Sequence, residues 1–155
     1  MKIFKNVLLL VAISSMALFA CKKDCKDHCV ISKSGLSMSG SQEVPARATA
    51  ASGRIKVSYN KCDKTLEYTV SWEDLTGLPI GAHIHGTAPR GVNAPIKHDF
   101  AALIPKVSSG TFTNSVIVDG IAIKEDSLLA GFYYINIHTP KFPGGEIRGQ
   151  IEFER

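Results

Sequence analysis

Hydrophobic and polar residues alternate along most of the chain after residue 35. Ile55, Val57 and Tyr59 alternate with polar neighbours, and residues 66–72 repeat the pattern. A period of two is typical of β-strands that bury one face and expose the other. Turn-forming residues separate these runs at intervals of roughly 8–12 residues, as in sandwiches and barrels. The pattern therefore predicts one all-β domain.

Two shorter elements complete the predicted order. The polar stretch 60–64 lies between two strand-like runs and predicts a hairpin loop. Residues 124–130 predict one short helical turn, which Gly131 would end in the left-handed conformation that glycine tolerates. Alternation over residues 133–138 then predicts a further strand.

The first residues of the chain have the organisation of a secretory signal. Lys2 and Lys5 form a positive segment that precedes the almost entirely apolar residues 7–20. This apolar stretch is about 14 residues long, shorter than the roughly 20 needed for an ordinary membrane-spanning helix. The small residue Ala20 precedes Cys21, as in the lipobox of a lipoprotein, where the cysteine thiol is lipidated.

We divide the chain into a lipoprotein signal peptide over residues 1–20, a lipidated N-terminus and tether over 21–35, and the all-β domain over 36–155. Lipid on Cys21 would anchor the protein in the cell envelope, because two or more acyl chains hold a protein stably on a membrane. Lys22, rather than aspartate, follows this cysteine, which favours the outer membrane, on its periplasmic or its surface face. The alternatives are a plain signal peptide and a signal anchor.

Charge and cysteine content limit the classes of function. The formal net charge of +4 is too small to indicate a nucleic-acid partner. Apart from Cys21, three cysteines remain, so at most one intramolecular disulfide forms. We favour Cys29 with Cys62, because this bridge would attach the tether to the domain. A metal site at Cys25, His28 and Cys29 is a weaker alternative, since the spacing is not standard for zinc and a fourth ligand is missing.

The histidines lie on predicted strands. His83 and His85 are two residues apart, so their side chains share one face of a strand, and the same parity places Asn136 together with His138. Antiparallel pairing with the last strand would bring Glu146 to about 5 Å from His138. We therefore expect an outward-facing polar patch, composed of His83, His85, Asn136, His138, Glu146 and Arg148.

Two interpretations of this patch remain open. In the first, His83, His85 and His138 bind copper or zinc, and Glu146 is a further ligand or supports one. In the second, the patch is a hydrogen-bonded structural network or a partner-binding surface, in which Arg148 pairs with Glu146. A guanidinium beside a cation is electrostatically unfavourable, which favours the second interpretation.

No catalytic constellation is complete in the sequence. It contains no nucleophile elbow, phosphate-binding loop or paired-carboxylate motif. The remaining histidine of the domain, His98, lies in a loop-like stretch where we expect it to be solvated. These features favour a protein without enzymatic activity.

Three blocks of the sequence resemble the CHRD domain, which takes its name from the extracellular binding protein chordin and occurs alone in bacterial lipoproteins. The blocks are residues 81–88, 134–139 and 144–151, and residues 36–45 resemble the family's first strand. The resemblance implies an immunoglobulin-like, Greek-key β-sandwich with an architecture like that of superoxide dismutase. It also implies an extracellular or periplasmic protein ligand.

The His-x-His motif is similar to the copper-ligand strand of copper–zinc superoxide dismutase. Only His83 and His85 have counterparts there, so the resemblance does not extend to the activity. We therefore expect a membrane-anchored interaction module whose ligand the sequence does not identify. The alternative is a copper- or zinc-binding domain that uses the His-x-His strand, with or without redox activity.

Overall fold

The computed structural model describes residues 29–153, which contain eight β-strands, one 3₁₀ turn and one short helix. The predicted signal peptide, Cys21 and the charged residues 22–28 lie outside the described residues. The strands are β1 (Val30–Ser39), β2 (Ser52–Asn60), β3 (Thr65–Glu73), β4 (Gly81–Gly86), β5 (Ile96–Asp99), β6 (Gly110–Ile117), β7 (Tyr133–Thr139) and β8 (Phe142–Ile151). The 3₁₀ turn is Gly40–Gln42 and the helix α1 is Glu125–Leu129.

The eight strands form one antiparallel sheet that almost closes on itself. Their spatial order is β5-β4-β7-β8-β1-β2-β3-β6, so β5 and β6 are the two edges. Strand β1 pairs with β8 only at Ser39 and Arg148, whereas β2 and β3 pair along their whole length. Two four-stranded halves are therefore joined at one point in a barrel-like arrangement. The all-β prediction is confirmed.

Aromatic side chains close the seam between the two edge strands. Phe100, which follows β5, stacks on Phe112 of β6 with ring centroids 5.9 Å apart. His98 of β5 lies on the same side, and its Nε2 is 3.0 Å from the hydroxyl of Tyr68 in β3. The expectation that His98 is solvated is therefore wrong, because the seam half-buries its ring.

The alternating pattern of β2 and β3 buries one face of these strands. Ile55, Val57 and Tyr59 of β2 are fully buried, and the residues between them are partly or fully exposed. Leu66 and Tyr68 of β3 show the same alternation. Burying such side chains contributes about 1.5–3 kcal/mol each, relative to leaving them exposed. This face forms the apolar core that holds the two halves together.

The strands that carry the histidines are buried on both faces. Every residue of β7 is buried, and so is the stretch of β8 from residue 145 onward. Ile84, Ile135 and Ile147 point into the apolar core. The residues between these isoleucines point to the opposite face, as the alternation predicts. Loops cover that face, so that His85, Asn136 and Arg148 are all at least nine-tenths buried. The predicted patch thus lies on the expected face but is not open to solvent.

The short helix lies where the sequence predicted it. Helix α1 spans Glu125–Leu129, and Gly131 follows with a φ of +77°, while its amide donates to the carbonyl of Leu128. Among residues 29–153, no helix is both long and apolar enough to cross a membrane.

A disulfide fixes the start of β1. Cys29 is bonded to Cys62 in the β2–β3 hairpin loop, and the Cys29 carbonyl accepts a hydrogen bond from the amide of Lys61. Because β1 begins at Val30, residues 30–35 of the predicted tether are part of the sheet rather than a linker. The folded unit therefore begins closer to the N-terminus than residue 36.

Candidate metal centre

Strands β4 and β7 bring three histidines together. In their antiparallel pairing, His83 lies opposite Asn136, and Gly81 lies opposite His138. His83 and His85 share the face of β4 that His138 occupies on β7. One ring nitrogen from each histidine lies within 4.8 Å of the corresponding nitrogens of the other two. The predicted triplet of histidines is thus a cluster in the fold.

The backbone fixes the proton of His138 on one ring nitrogen. Its Nδ1 lies 2.9 Å from the carbonyl oxygen of Pro143, in the loop of the β7–β8 hairpin. A carbonyl only accepts hydrogen bonds, so neutral His138 has its proton on Nδ1 and a lone pair on Nε2. This Nε2 lies 2.9 Å from Nδ1 of His83 and 2.9 Å from the side-chain amide of Asn136.

His85 is held in the same way from a different loop. Its Nδ1 lies 2.8 Å from the carbonyl oxygen of Ala94, which leaves the lone pair on Nε2. Within residues 29–153, Nε2 is buried and has no hydrogen-bond partner of acceptable geometry, although the Asn136 amide lies nearby. The imidazole ring stacks on Tyr134, with centroids 4.8 Å apart and planes 2° apart. The ring is therefore fixed, and its lone pair faces the cluster.

His83 completes the arrangement at the rim of the cluster. Its Nε2 lies 3.6 Å from the carboxylate of Asp99, too far for a hydrogen bond, and its Nδ1 lies 2.9 Å from Nε2 of His138. Because Nε2 of neutral His138 can only accept, Nδ1 of His83 donates to it. An ion bound by both nitrogens would displace this proton to Nε2 of His83, which faces Asp99.

The electrostatic environment keeps the cluster neutral. Burial is the main cause that lowers the pKa of His83, to about 4, and the nearby His138 lowers it further while Asp99 opposes the shift. Burial also lowers the pKa of His85 and of His138. Neutral imidazole is the form that binds metal ions. Outer partners that hold the second nitrogen, here the carbonyls of Pro143 and Ala94, are the usual companions of histidine ligands.

Glu146 lies apart from the cluster. Its fully buried carboxylate accepts hydrogen bonds from the hydroxyls of Thr139 and Thr49, both at 2.7 Å, and from the amide of Thr76 at 3.1 Å. A register shift between Ile137 and Thr139 interrupts the β7–β8 ladder, so regular pairing does not continue to this point. Glu146 thus connects three segments of chain and is not in the group of ligand atoms.

Arg148 does not pair with Glu146 either. Its guanidinium lies over the ring of Tyr134, 3.3 Å from the centroid, and donates to the carbonyl of Val92 at 2.9 Å. His85 stacks on the same ring, and the two groups are too large to share one face of it. The Tyr134 ring therefore lies between the guanidinium and the imidazole, yet the charge of Arg148, after burial, still lowers the pKa of His85.

Glu43 is the residue of this region that sequence reasoning did not identify. It lies in the loop after the 3₁₀ turn, 5 % exposed, and its Oε1 has no hydrogen-bond partner within residues 29–153. Burial raises its pKa to about 7, although Arg148, the Asn136 amide and Arg47 act in the opposite direction. Sequence periodicity gives no signal for Glu43, because this residue lies in a loop and is buried only where that loop covers the sheet.

Comparison with known proteins gives one match. The model of the CHRD domain family matches residues 35–151. The matched range runs from β1 to the end of β8 and includes His83, His85 and His138. No curated protein and no solved structure matches the chain. The family match covers most of the sequence, and the chain therefore belongs to the CHRD domain family.

Proposed function

We propose that this protein binds one transition-metal ion, copper or zinc, through His83, His85 and His138. The observation that carries the proposal is the approach of three imidazole nitrogens, one from each histidine, to within 4.8 Å of one another. His138 and His85 each have Nδ1 held by a backbone carbonyl, so each presents the lone pair of Nε2 to an ion.

The set of donor atoms supports copper or zinc over harder ions. Neutral imidazoles suit zinc and copper, whereas magnesium and calcium require oxygen ligands. Three protein ligands leave one coordination position for water or for a small molecule. Glu146 has no part in this proposal, because its oxygens are engaged by threonines elsewhere.

Metal content of the purified full-length protein tests the proposal. The protein is exposed to copper or zinc, desalted, and analysed by inductively coupled plasma mass spectrometry. We expect about one ion per chain in the wild type and in His98→Ala, and a large loss in His85→Ala. His98 is the matched control, because it is a half-buried histidine of the same domain that hydrogen bonds to Tyr68 instead.

Copper-loaded wild-type protein gives a second measurement that needs no variant. Electron paramagnetic resonance should show hyperfine coupling to more than one nitrogen if imidazoles hold the ion. A folded wild-type protein that retains no ion after desalting would disprove the proposal. Equal retention by His85→Ala would place the ion elsewhere.

We also propose that the protein is a lipoprotein of the cell envelope, anchored through Cys21 and sorted to the outer membrane. The disulfide between Cys29 and Cys62 supports an extracytoplasmic location, because such bonds persist in oxidising compartments. The mass of the membrane-extracted protein, compared with that of Cys21→Ser, tests the anchor. An unmodified N-terminus that starts at Met1 would contradict it.

A role as an interaction module is the second candidate. The loop before β4 exposes two large apolar side chains, Leu78 and Ile80, each more than half exposed. These two neighbouring side chains are the contact that we propose for a protein partner. Cross-linking in the cell envelope, compared between wild type and Leu78→Ser, tests this role. Identical cross-linked products would argue against it.

The strand order further supports a Greek-key arrangement of the sandwich type. If β5 and β6 are taken as neighbours across the aromatic seam, β4, β5 and β6 are consecutive and β7 returns beside β4. This is the order that defines a Greek key. An experimental structure with β5 far from β6 would contradict the assignment.

A further inference from the structure

Asn136 of β7 lies at the metal centre itself. Its side chain shares the face of β7 that His138 occupies two residues later, and in the β4–β7 pairing it lies opposite His83. Oδ1 of Asn136 is 2.9 Å from Nε2 of His138. Resting on the proposed three-histidine site, we infer that Oδ1 of Asn136 is the fourth ligand of the ion, in the position that three protein ligands would otherwise leave to water.

The histidines next to Oδ1 have no proton to donate to it. Neutral His138 and neutral His85 each donate from Nδ1 to a backbone carbonyl, so Nε2 of each ring is an acceptor. The side-chain oxygen of Asn136 is an acceptor as well, and it lies beside these nitrogens in a buried place. A cation bound among these atoms would satisfy the oxygen and the nitrogens together.

The opposite end of the same amide group faces Glu43. Nδ2 of Asn136 and Oε1 of Glu43 both lie next to Gly145, where a Cβ would collide with Oε1 and would lie 2.9 Å from Nδ2. Burial raises the pKa of Glu43, whereas Arg148 and the NH₂ group of Asn136 act in the opposite direction by stabilising the carboxylate. Glu43 therefore orients the amide, with NH₂ toward the carboxyl and oxygen toward the histidines. Such outer partners commonly orient the ligands of metal sites.

The spacing of the atoms suits a small ion. In a tetrahedral zinc centre with bonds of about 2.0–2.1 Å, neighbouring ligand atoms lie about 3.3–3.4 Å apart. Oδ1 of Asn136 and Nδ1 of His83 each lie 2.9 Å from Nε2 of His138, so an ion requires these atoms to separate by only about 0.4 Å. An amide oxygen is also known as the weak further ligand of copper sites that are built mainly from other residues.

A fourth protein ligand changes what the ion can do. Zinc sites closed by four protein ligands stabilise a fold, whereas catalytic sites with three keep one position for water or substrate. Asn136 is 3 % exposed, and His85 and His138 are also buried, so the closed centre is shielded from solvent. The ion then links β4 to β7 and has no position for a substrate.

The zinc affinity of full-length variants tests the fourth ligand. Asn136→Leu keeps the volume of the side chain but removes the oxygen, and we expect it to bind zinc at least about tenfold more weakly than wild type. Asn136→Asp keeps an oxygen ligand but has no NH to donate to Glu43, and it should bind zinc as tightly as wild type or more tightly. Asn114→Leu is the matched control, because Asn114 is a half-buried asparagine of β6, and it should bind zinc as wild type does.

Two results with these variants would overturn the inference. The first is an unchanged affinity in Asn136→Leu. The second is an equal loss of affinity in folded Asn136→Leu and folded Asn136→Asp, because the amide of Asn136 would then act only through its NH₂ group and Glu43.

An infrared difference spectrum of the wild type provides a test that needs no variant. In protein labelled with ¹³C at the side-chain carbonyl of asparagine, zinc addition should shift one labelled band to lower frequency, because coordination weakens the C=O bond. Unshifted bands in protein that retains zinc would overturn the inference and leave the three-histidine site intact. A wild type that retains no zinc would overturn both.

Discussion

The metal-free protein should become more stable at high pH when Glu43 is replaced by glutamine. The carboxyl of Glu43 has its pKa raised from 4.5 to about 7 in the folded protein. Because this carboxyl holds its proton more tightly in the folded protein than in the unfolded chain, the free energy of unfolding falls as the pH rises. The loss begins near the unfolded-state value of 4.5 and is complete above the folded-state value of about 7.

The size of the effect follows from the shift. Each pKa unit corresponds to about 1.4 kcal/mol, so the shift of about 2.5 units lowers the free energy of unfolding by about 3 kcal/mol at high pH. Glutamine has the shape of the protonated acid but does not ionise. The two proteins should therefore have similar stability at pH 4.5, and Glu43→Gln should be more stable by about 3 kcal/mol at pH 8.

Urea unfolding of both proteins, with a chelator present, measures this difference. Ionisation of all other groups is common to the two proteins and cancels when their free energies of unfolding are subtracted. Glu67→Gln should run parallel to wild type, because that side chain is exposed. If Glu43→Gln were instead less stable than wild type at pH 8, Glu43 would be an ionised partner of Arg148, and the reasoning would be refuted.

Two further substitutions test the packing and the disulfide. Gly149→Ala should lower the free energy of unfolding by about 1–3 kcal/mol, because the new Cβ would lie 2.7 Å from the backbone oxygen of Ser37. Gly144→Ala on the same strand is the control and should change the free energy of unfolding little. Cys62→Ser should lower it by about 3–4 kcal/mol through loss of the bond to Cys29, which closes a loop of 33 residues. Urea unfolding checks both, and a Cys62→Ser protein that a reductant still destabilises would contradict the second.

Much of the fold could be predicted because it depends on local alternation. Val57 and its neighbours mark β2 by period two, and Gly131 marks the end of the helix by its freedom at positive φ. The same parity rule placed His83, His85 and His138 on one face of two strands, which is why the cluster could be foreseen.

The rest of the site depends on features that have no periodic signature. Glu146 was expected near His138, but a register shift in the β7–β8 ladder places its carboxylate against Thr139 instead. Arg148 was expected to pair with Glu146, yet it stacks on Tyr134, because the loop that contains Val92 covers that face. Alternation indicates the face to which a side chain points, but it does not indicate whether a distant loop covers that face.

The burial of β4, β7 and β8 on both faces has a consequence for how sequences of this fold can diverge. A strand with one face in water can change every second residue at small cost, since surface substitutions are usually close to neutral. These three strands have almost no such positions, because one face packs in the apolar core and the other in a hydrogen-bonded polar layer. Substitutions accepted over evolutionary time should therefore accumulate on the outer faces of β2, β3 and β6, while the motif-bearing strands change little.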